Sequence, residues 1–369
     1  SRFRHTRLCK LSRGLGDVYK RQGQMLGYAA RNLGVECRFV DPSDSPPAAD
    51  CGKVIQKPFD DPEALAALAA SCDVITYEFE NVPVTALLKI GDAIPVFPPA
   101  DALRHAQDRL DEKRLFEQIG IPLPGYRAVS SRQDMDAAVD ALGLPVVIKT
   151  RRFGYDGKGQ FVIRDRDDID KAWQALGGDE LIAEQWVAFD YEVSCIGVRN
   201  RDGDIAIYPL SQNVHEGGIL RTSRSPIDNR GLTEQAEDYM RRMLGHLDYV
   251  GVLALELFVC GDDLLANEFA PRVHNSGHWT IEGSATSQFE NHLRAVMNMP
   301  LGSTASLGHA GMINLIGEIP DALRPPKSGI LHDYGKAARP GRKLGHITVT
   351  ADTAGKRDEL VDIISQSVT

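Results

Sequence analysis

Short apolar segments predicted to be strands alternate with helical segments over residues 23–97, and this alternation limits the fold more than any other feature. Strands that alternate with helices in this way form a parallel sheet with helices packed on it. The sequence therefore predicts an N-terminal α/β lobe. Its predicted elements are a helix at 23–33, a strand at 35–40, a helix that begins at Pro62, strands at 74–76 and 94–97, and one long helix at about 100–119.

The length of 369 residues requires more than one hydrophobic core, because single cores stop growing at about 250–300 residues. Gly120, Pro122 and Pro124 end the first lobe and stiffen the connection to the next. Residues 1–22 are basic and show no apolar period, and we expect them to be non-native sequence. The predicted segments are this leader at 1–22, the N-terminal lobe at 23–120, two further lobes at 121–310 and a closing subdomain at 311–369.

Charge and composition exclude several classes of partner. The formal net charge is −9, whereas nucleic acids and anionic membrane surfaces require Lys and Arg clustered on one face. No apolar run approaches the roughly 20 residues that a membrane-spanning helix needs. The six cysteines stand singly, without the spacing of a disulfide framework or a zinc site, and this pattern fits a reducing cytoplasm.

The second half of the chain is dominated by predicted strands, among them a glycine-rich hairpin after Lys149 that holds Gly154, Gly157 and Gly159. Glycine leaves little side-chain bulk, so backbone N–H groups can close over phosphate oxygens there. A simple turn is the alternative, because the hairpin matches neither common phosphate-loop motif. The predicted elements are helices at 132–142 and 233–247 and strands at 145–148, 161–164, 181–185, 191–199, 205–209, 252–259, 264–269, 312–316 and 346–350.

Two carboxylates interrupt neighbouring apolar strands. Glu256 and Glu268 belong to predicted strands joined by a turn at Gly261, so a hairpin brings them side by side. Burying unpaired carboxylates is costly unless a cation compensates. Mg²⁺ takes oxygen ligands and commonly uses one or two carboxylates together with substrate phosphates. A magnesium site is therefore predicted, with a buried pair of glutamate and arginine, for instance with Arg272, as the alternative.

Cationic and polar residues indicate where anions bind. Lys149 ends an apolar strand, where an ammonium group needs an anionic partner such as a nucleotide phosphate. The run 267–276 places carboxylate, guanidinium, imidazole and amide groups in one segment, which indicates an active site; a polar loop with local hydrogen bonds is the alternative. His274 and His278 are four residues apart, but the Asn275-Ser276-Gly277 sequence between them predicts a turn and argues against zinc.

A basic cluster stands near the C-terminal end of an otherwise acidic chain. It surrounds a Pro-Gly turn at 340–341. A phosphate-bearing substrate and a solvated basic loop explain it equally well. Its members are Lys336, Arg339, Arg342 and Lys343.

Several motifs together resemble the ATP-grasp superfamily, and within it the 5-(carboxyamino)imidazole ribonucleotide synthases of purine biosynthesis. The similarity runs from about Gly23 to the end of the chain. It implies a three-lobed ATP-grasp fold, α/β and α+β in class, with a Rossmann-like N-terminal lobe built on a parallel sheet. It also implies a homodimer. The motifs occupy residues 77–81, 108–110, 153–160, 215–222, 267–280 and 339–346.

The activity that this resemblance implies is that of an ATP-dependent carbon–nitrogen ligase. ATP would phosphorylate bicarbonate to carboxyphosphate, which would carboxylate the amine of 5-aminoimidazole ribonucleotide. The residues implied to hold ATP are Arg109, Lys149, Gly154, Tyr155, Asp156, Gly157, Lys158, Gly159, Gln160, Glu184, Gln185, Trp186, Val187, Glu192, His215, Asn267 and Glu268. Those implied to hold Mg²⁺ are Glu256 and Glu268.

The resemblance also implies which residues face bicarbonate and the ribonucleotide. These residues are Tyr155, Asp156, Lys158, Arg272, His274, Asn275, Ser276, Lys336, Arg342 and Lys343. The implied catalytic residues among them are Tyr155, Asp156, Arg272, His274 and Lys336.

One departure from the family pattern concerns the start of the chain. Family members resemble one another in a short apolar first strand followed by Gly-x-Gly-Gln-Leu-Gly, whereas Gln22-Gly23-Gln24-Met25 follows a basic leader here. We therefore expect the first lobe to lack its opening strand, which would leave sheet edges open.

Two other functions are compatible with this fold. A formate-dependent phosphoribosylglycinamide transformylase shares it, but that family resembles His-Asp-Thr-Gly where His274-Asn275-Ser276-Gly277 stands here. A non-catalytic ATP-binding module is the second alternative, and the intact pair of acidic residues argues against it.

Overall fold

Three β-sheets organise the chain in the computed structural model, which describes residues 7–11 (backbone), 22–44, 46–154, 159–178, 180–324 and 326–368. The strands are β1 Arg7–Leu11, β2 Glu36–Val40, β3 Gly52–Ile55, β4 Val74–Tyr77, β5 Tyr126–Val129, β6 Val146–Thr150, β7 Gln160–Ile163, β8 Leu181–Gln185, β9 Tyr191–Arg199, β10 Ile205–Ile207, β11 Ser211–Glu216, β12 Ile219–Ser225, β13 Gly251–Cys260, β14 Asp263–Ala270, β15 His309–Ile316, β16 Ile330–Asp333 and β17 Lys343–Ala351.

Helices cover the sheets and connect their strands. The α-helices are α1 Gln22–Asn32, α2 Pro62–Ser71, α3 Val84–Gly91, α4 Ala100–Ala106, α5 Arg109–Gln118, α6 Arg132–Leu142, α7 Asp168–Leu176, α8 Arg230–His246, α9 Thr280–Gly283, α10 Gln288–Val296 and α11 Ala354–Gln366. Short 3-10 helices occupy Pro47–Cys51, Asn275–Gly277 and Asp321–Leu323.

The first sheet contains four strands in the order β3-β2-β1-β4, all parallel. Strand β1 lies in its interior, with Leu8 opposite Cys37 on one side and opposite Val74 on the other. The expectation that this lobe lacks its opening strand is therefore wrong. The sequence pattern misses β1 because its residues, RLCKL, mix basic and apolar side chains inside a basic segment. Pairing with two neighbouring strands outweighs that weak local preference.

Two predicted elements of the first lobe differ from the structure. Residues 94–97 contribute only a parallel bridge between Val96 and Ile75, because Pro95 lacks an N–H donor. The single helix predicted at about 100–119 is two helices, α4 and α5. Asp108 separates them: its backbone is extended, and its side chain accepts a hydrogen bond from the Leu110 N–H at 3.0 Å. An Asp in this position caps the helix that follows.

The second sheet is antiparallel, in the order β5-β8-β6-β7, with α6 and α7 packed on it. Strands β6 and β7 form the predicted glycine-rich hairpin, in which Lys149 pairs with Gln160. Gly159 has a φ of +72°, and a Cβ there would lie 2.7 Å from the Thr150 hydroxyl. The turn therefore requires glycine at this position. The loop residues 155–158, which carry four of the predicted site residues, lie outside the described part of the chain.

The third sheet is the largest. Its strands run in the order β14-β13-β9-β11-β12-β15-β17-β16, and β10 pairs with β9. Strands β15 to β17 of the C-terminal segment therefore continue the sheet of the preceding lobe. Helix α1 of the first lobe and α10 contribute to the same apolar core as β9 and β13, so the first lobe packs directly against this sheet.

Strands β11 and β12 of the third sheet are absent from the sequence prediction. Their sequences, SQNVHE and ILRTSRS, show little apolar alternation. The reason is a buried polar ladder, in which Asn213 donates to Ser194 and accepts from Ser223 at 2.8 Å. A strand whose inward positions are satisfied by hydrogen bonds carries no period of apolar residues.

Candidate active site

The predicted hairpin brings the two acidic residues together. Glu256 on β13 lies directly opposite Glu268 on β14, immediately before a register shift between Glu256 and Leu257. Each carboxylate contacts a basic side chain: Glu256 Oε1 lies 3.1 Å from His274 Nε2, and Glu268 Oε2 lies 3.1 Å from Arg109 Nη1. Glu268 thus forms an ion pair with an arginine, as the alternative describes, but its partner is Arg109 and not Arg272, and its side chain is 42% exposed rather than buried.

The two carboxylates of this pair have opposite pKa shifts. Burial, together with the charge of Glu268, raises the pKa of Glu256 to about 7. Desolvation in the cleft acts in the same direction on Glu268, but the charges of Arg109 and Lys149 outweigh it and lower the pKa of that carboxyl. A divalent cation between the two would favour ionisation of both. Two adjacent oxygen donors of this kind fit Mg²⁺.

The largely buried ammonium group of Lys149 lies across the cleft from Glu256 and Glu268. Lys149, near the end of β6, places its Nζ 2.8 Å from Glu184 Oε2 on β8. Glu184 is 4% exposed. Burial opposes its ionisation, but the charges of Lys113 and Lys149 dominate and lower the pKa of Glu184 to about 2. The pKa of Lys149 is lowered, because burial outweighs the attraction of Glu184. The anionic partner that the sequence predicts for Lys149 is thus, in this structure, a protein carboxylate.

Helix α5 supplies the residues that connect these two groups. Besides Arg109, it carries Glu112 and Lys113, both almost fully buried. Lys113 Nζ donates to the backbone carbonyl of Asn267, and Glu112 Oε1 accepts the Phe269 N–H at 2.7 Å. Burial raises the pKa of Glu112 to about 8. The helix thereby fixes the backbone of β14 on both sides of Glu268.

Sequence reasoning misses Glu112 and Lys113 as site residues. A usable signal exists, because Leu110, Lys113 and Phe116 follow one another at intervals of three on the buried stripe of α5. A charged residue at an apolar position of an amphipathic helix requires a buried partner.

A histidine and a glutamate extend the site along β9 and β11. His215 Nδ1 is hydrogen-bonded to Glu192 Oε2. Burial lowers the pKa of His215, but this hydrogen bond and the nearby charges of Glu256 and Glu268 outweigh it, so the net shift is upward. The electrostatic coupling indicates that His215 and Glu192 belong to the same cleft as the acidic pair.

Arg272 connects the first lobe to the site. Its Nη2 lies 2.6 Å from Glu80 Oε1, and its Nη1 donates to Gln22 Oε1 at 3.3 Å. Glu80 follows β4 and Gln22 opens α1, so both partners come from the N-terminal lobe. The Arg272 side chain is 8% exposed. Its guanidinium therefore has a fixed orientation at the boundary between the first lobe and the third sheet.

The segment after Arg272 is held by its backbone. Gln288 accepts from the N–H of His274 at 3.0 Å and donates to its carbonyl at 2.6 Å. His274 Nδ1 contacts the Ser276 hydroxyl at 2.9 Å, and its Nε2 faces Glu256. The predicted turn at 275–277 is a 3-10 helix. His278 faces a different group, the hydroxyl of Tyr334, so the two histidines do not converge on one metal.

The basic cluster lies on the connection between β16 and β17. Lys336 Nζ lies 5.6 Å from the centre of the Tyr334 ring. The Tyr334 hydroxyl lies 3.3 Å from His278 Nδ1 and 2.9 Å from His346 Nδ1. This network anchors the basic segment to the segment that carries His274. Arg342 donates to the Ala337 carbonyl at 3.2 Å, which closes the loop on itself.

The remaining residues predicted to hold the nucleotide lie at the end of β8 and beside the glycine-rich loop. Gln185 is the last residue of β8, Trp186 and Val187 follow it in the connection to β9, and Trp186 is 41% exposed. The Gln185 N–H donates to the Gly125 carbonyl at 2.8 Å. Gly154 and Gln160 flank the glycine-rich loop, whereas Tyr155, Asp156, Gly157 and Lys158 lie outside the described residues.

No helix in the described ranges is long and apolar enough to cross a membrane.

A glycine-rich hairpin on a small antiparallel sheet, facing an acidic strand pair on a larger sheet, defines the class of ATP-grasp proteins. The sequence matches the ATP-grasp domain over residues 114–289, the ribonucleotide synthetase preATP-grasp domain over 20–107 and the phosphoribosylaminoimidazole carboxylase C-terminal domain over 310–359. The chain belongs to the family of N5-carboxyaminoimidazole ribonucleotide synthases, which are ATP-dependent ligases. The predicted fold, family and enzyme class are thus confirmed.

Individual relatives support this assignment over almost the whole chain. The synthase of Pseudomonas aeruginosa is 47% identical over 344 residues, which are 92% of this chain and 95% of the relative. The crystal structure of the synthetase from Thermus thermophilus superimposes with a TM-score of 0.92 at 46% identity, covering 98% of both chains. A synthase from Aspergillus clavatus, solved with ADP and 5-aminoimidazole ribonucleotide, has a TM-score of 0.87 at 30% identity and covers 99% of this chain and 100% of its own.

Proposed function

We propose that this chain carboxylates the amine of 5-aminoimidazole ribonucleotide, using ATP and bicarbonate and forming ADP and phosphate. The observation that carries the proposal is the placement of the Glu256 and Glu268 pair opposite the cations of Arg109 and Lys149, with His274 on Glu256. This arrangement suits the transfer of a phosphoryl group, which requires fixed positive charge around phosphate and carboxylates for its metal.

The first step joins bicarbonate to the γ-phosphoryl group. A bicarbonate oxygen attacks phosphorus in line, the bond to ADP breaks, and carboxyphosphate forms. Arg109, Lys149 and the backbone of the glycine-rich hairpin stabilise the charge on the phosphate oxygens. Glu256 and Glu268 would hold Mg²⁺, which would screen the phosphate charge. Glu184–Val187, Glu192, His215 and Asn267 position the rest of the nucleotide.

The second step forms the carbon–nitrogen bond. The exocyclic amine attacks the carboxyl carbon of carboxyphosphate, the bond between that carbon and the phosphate oxygen breaks, and the departing phosphate takes up the proton that the amine releases. Arg272 and His274 orient the carboxyl donor, because Arg272 is held at the boundary of the first lobe and His274 is held beside Glu256. Asn275, Ser276, Lys336, Arg342 and Lys343 bind the ribonucleotide, as do Tyr155, Asp156 and Lys158. Closure of the glycine-rich hairpin keeps water away from the labile intermediate.

Three further attributes complete the proposal. The chain acts as a homodimer, it works in the cytoplasm, and it requires Mg²⁺. The family resemblance supports the homodimer, and the unclustered cysteines in the sequence support the cytoplasm. The adjacent oxygen donors of Glu256 and Glu268 support the requirement for Mg²⁺. Light scattering on the purified chain tests the oligomeric state directly.

Release of ADP, followed with and without each substrate, tests the proposed reaction. We expect ADP release only when both bicarbonate and 5-aminoimidazole ribonucleotide are present, and ¹³C from bicarbonate in the ribonucleotide product. ADP release driven by formate and glycinamide ribonucleotide would instead favour the transformylase. ATP binding without ADP release under any of these conditions would favour the non-catalytic module.

A further inference from the structure

Lys113 is a buried ammonium group at the centre of the nucleotide side of the cleft. Its side chain is 1% exposed, although lysine is almost never fully buried without a charged or hydrogen-bonding partner. Its Nζ donates to the Asn267 carbonyl and lies 3.7 Å from Glu184 Oε2. The position thus places the Lys113 Nζ between β14 and β8.

Two ammonium groups share one carboxylate oxygen at this point. Glu184 Oε2 lies 2.8 Å from Lys149 and 3.7 Å from Lys113. Glu184 itself is 4% exposed. One cation would neutralise this carboxylate, so the second requires an explanation. A second cation is required if one of the two lysines leaves Glu184 to bind a ligand.

We propose that Lys113 is a positioning residue that keeps Glu184 paired while Lys149 changes its partner to a nucleotide phosphate. The inference rests on the phosphate-binding role proposed above for Lys149. Removing one member of a buried ion pair is strongly unfavourable, because it leaves the other charge uncompensated. Without Lys113, each contact of Lys149 with a phosphate would leave the Glu184 carboxylate without a cation beside it. With Lys113 in place, the exchange leaves no isolated charge.

The burial of the two lysines determines which one moves. The Lys149 side chain is 15% exposed, whereas that of Lys113 is 1% exposed. Lys113 is also tied to the backbone of β14 through the Asn267 carbonyl. Lys149 therefore reaches the open cleft and Lys113 does not. This asymmetry assigns phosphate binding to Lys149 and charge compensation to Lys113.

A double-mutant cycle between Lys113 and Glu184 tests the proposal. Lys113→Met removes the charge, Glu184→Gln removes the need for it, and the two are combined in a third protein. ADP and adenosine are the probes, and their dissociation constants are measured by calorimetry. Lys171→Met is the matched control, because Lys171 is 65% exposed on α7 and pairs only with Asp168 among its described ion-pair partners. Lys113→Gln keeps a donor for the Asn267 carbonyl without the charge.

The proposal predicts a phosphate-specific and Glu184-dependent loss. Lys113→Met should weaken ADP binding about tenfold or more, since it forces a choice between Glu184 and phosphate. Adenosine binding should change less than about twofold, and Lys113→Gln should behave like Lys113→Met. On the Glu184→Gln background the same substitution should cost less than about threefold, because a neutral amide needs no counter-ion.

Three results would overturn the proposal. Unchanged ADP affinity in folded Lys113→Met or Lys113→Gln protein would show that the charge is dispensable. Equal losses with and without Glu184→Gln would show that Lys113 acts independently of Glu184. Equal losses for adenosine and ADP would show a general structural defect. Absence of ADP binding by the unaltered chain would instead contradict the proposed function itself.

Discussion

The two ends of the proposed site differ in how their charges are held. On the nucleotide side, Lys113, Lys149 and Glu184 are nearly buried and form ion pairs with one another. On the side of the ribonucleotide, the connection from β16 to β17 carries Arg339, Lys336 and their basic neighbours at the exposed surface or only partly buried. Before any ligand arrives, the charges at one end are paired with one another inside the protein, whereas those at the other end remain accessible to solvent.

This difference indicates a division of labour. Charges that are fixed in a low-dielectric cleft need no reorganisation when negative charge develops on phosphate, and they contribute most to a transition state. Charges on an exposed loop are screened by salt and contribute mainly to ligand affinity. Substitutions at the first end should therefore lower kcat or weaken nucleotide binding, and those at the second should raise KM for 5-aminoimidazole ribonucleotide alone.

The largest effect is expected at the acidic pair. Glu268→Gln keeps the shape of the side chain but removes a metal-binding charge and the ion pair with Arg109. We expect the rate of ADP release to fall by ~10²–10³-fold, the range found when a preorganised charge contact is lost. Glu234→Gln, at a 64% exposed position on α8, is the control and should keep the full rate. A Glu268→Gln rate within about threefold of the control would contradict the assignment.

Loss of the strand-end lysine is expected to have the next largest effect. Lys149→Ala should weaken ATP binding by about 1.5–3 kcal/mol, the value of a hydrogen bond to a charged group. Titration calorimetry with a non-hydrolysable ATP analogue measures this change, and Lys171→Ala serves as the exposed control. ATP affinity that does not change would remove Lys149 from the site. Lys149→Arg should recover part of the loss, since it restores the charge but not the geometry.

The basic loop should respond differently. Arg342→Ala should raise KM for 5-aminoimidazole ribonucleotide about tenfold, by loss of a charge-assisted phosphate contact, and leave KM for ATP within about twofold. Added salt should reproduce part of this effect in the unaltered chain, because the loop is accessible to ions. Arg230→Ala, at a 91% exposed position, is the control. Equal effects of Arg342→Ala on both KM values would contradict the proposed division.

The smallest effect concerns pH and stability. The pKa of Glu112 is raised to about 8 by burial, so the folded state binds a proton that the unfolded state releases near its ordinary pKa of about 4.3. Its stabilising contribution is complete at low pH and is lost as pH rises toward about 8. Glu112→Gln should therefore reduce the fall in unfolding free energy between about pH 5 and pH 7 by about 1–3 kcal/mol. Urea titrations at the two pH values measure this difference; an unchanged pH dependence would contradict the shift.

The residues of the site differ in how readily the sequence reveals them. Glu256 and Glu268 are recognisable because carboxylates inside apolar strands contradict their surroundings, and a tight turn brings the strands together. The bulge next to Glu256, which puts Glu268 opposite it, is not evident from the sequence. Glu112 and Lys113 escape detection because polar residues are expected on a helix surface. The apolar stripe of α5 marks the position of Lys113, and the packing of α5 against β14 shows that Glu112 is buried as well.

Parts of the fold were unpredictable for related reasons. Strands β11 and β12 satisfy buried polar groups with one another, so their sequences lack apolar periodicity. Strand β1 is stabilised by its two neighbours more than by its own composition. Asp108 divides α4 from α5. Its carboxylate lies 2.7 Å from the guanidinium of Arg151, a residue far away in sequence. Local patterns contain no information about such long-range partners.

A crystal structure with ADP and Mg²⁺ tests the central claim most directly. The account predicts one Mg²⁺ ion bound by carboxylate oxygens of both Glu256 and Glu268 at about 2.0–2.1 Å, with Lys149 Nζ on a phosphate oxygen. A structure in which ADP lies elsewhere, or in which the two carboxylates keep His274 and Arg109 as their only partners, would contradict it.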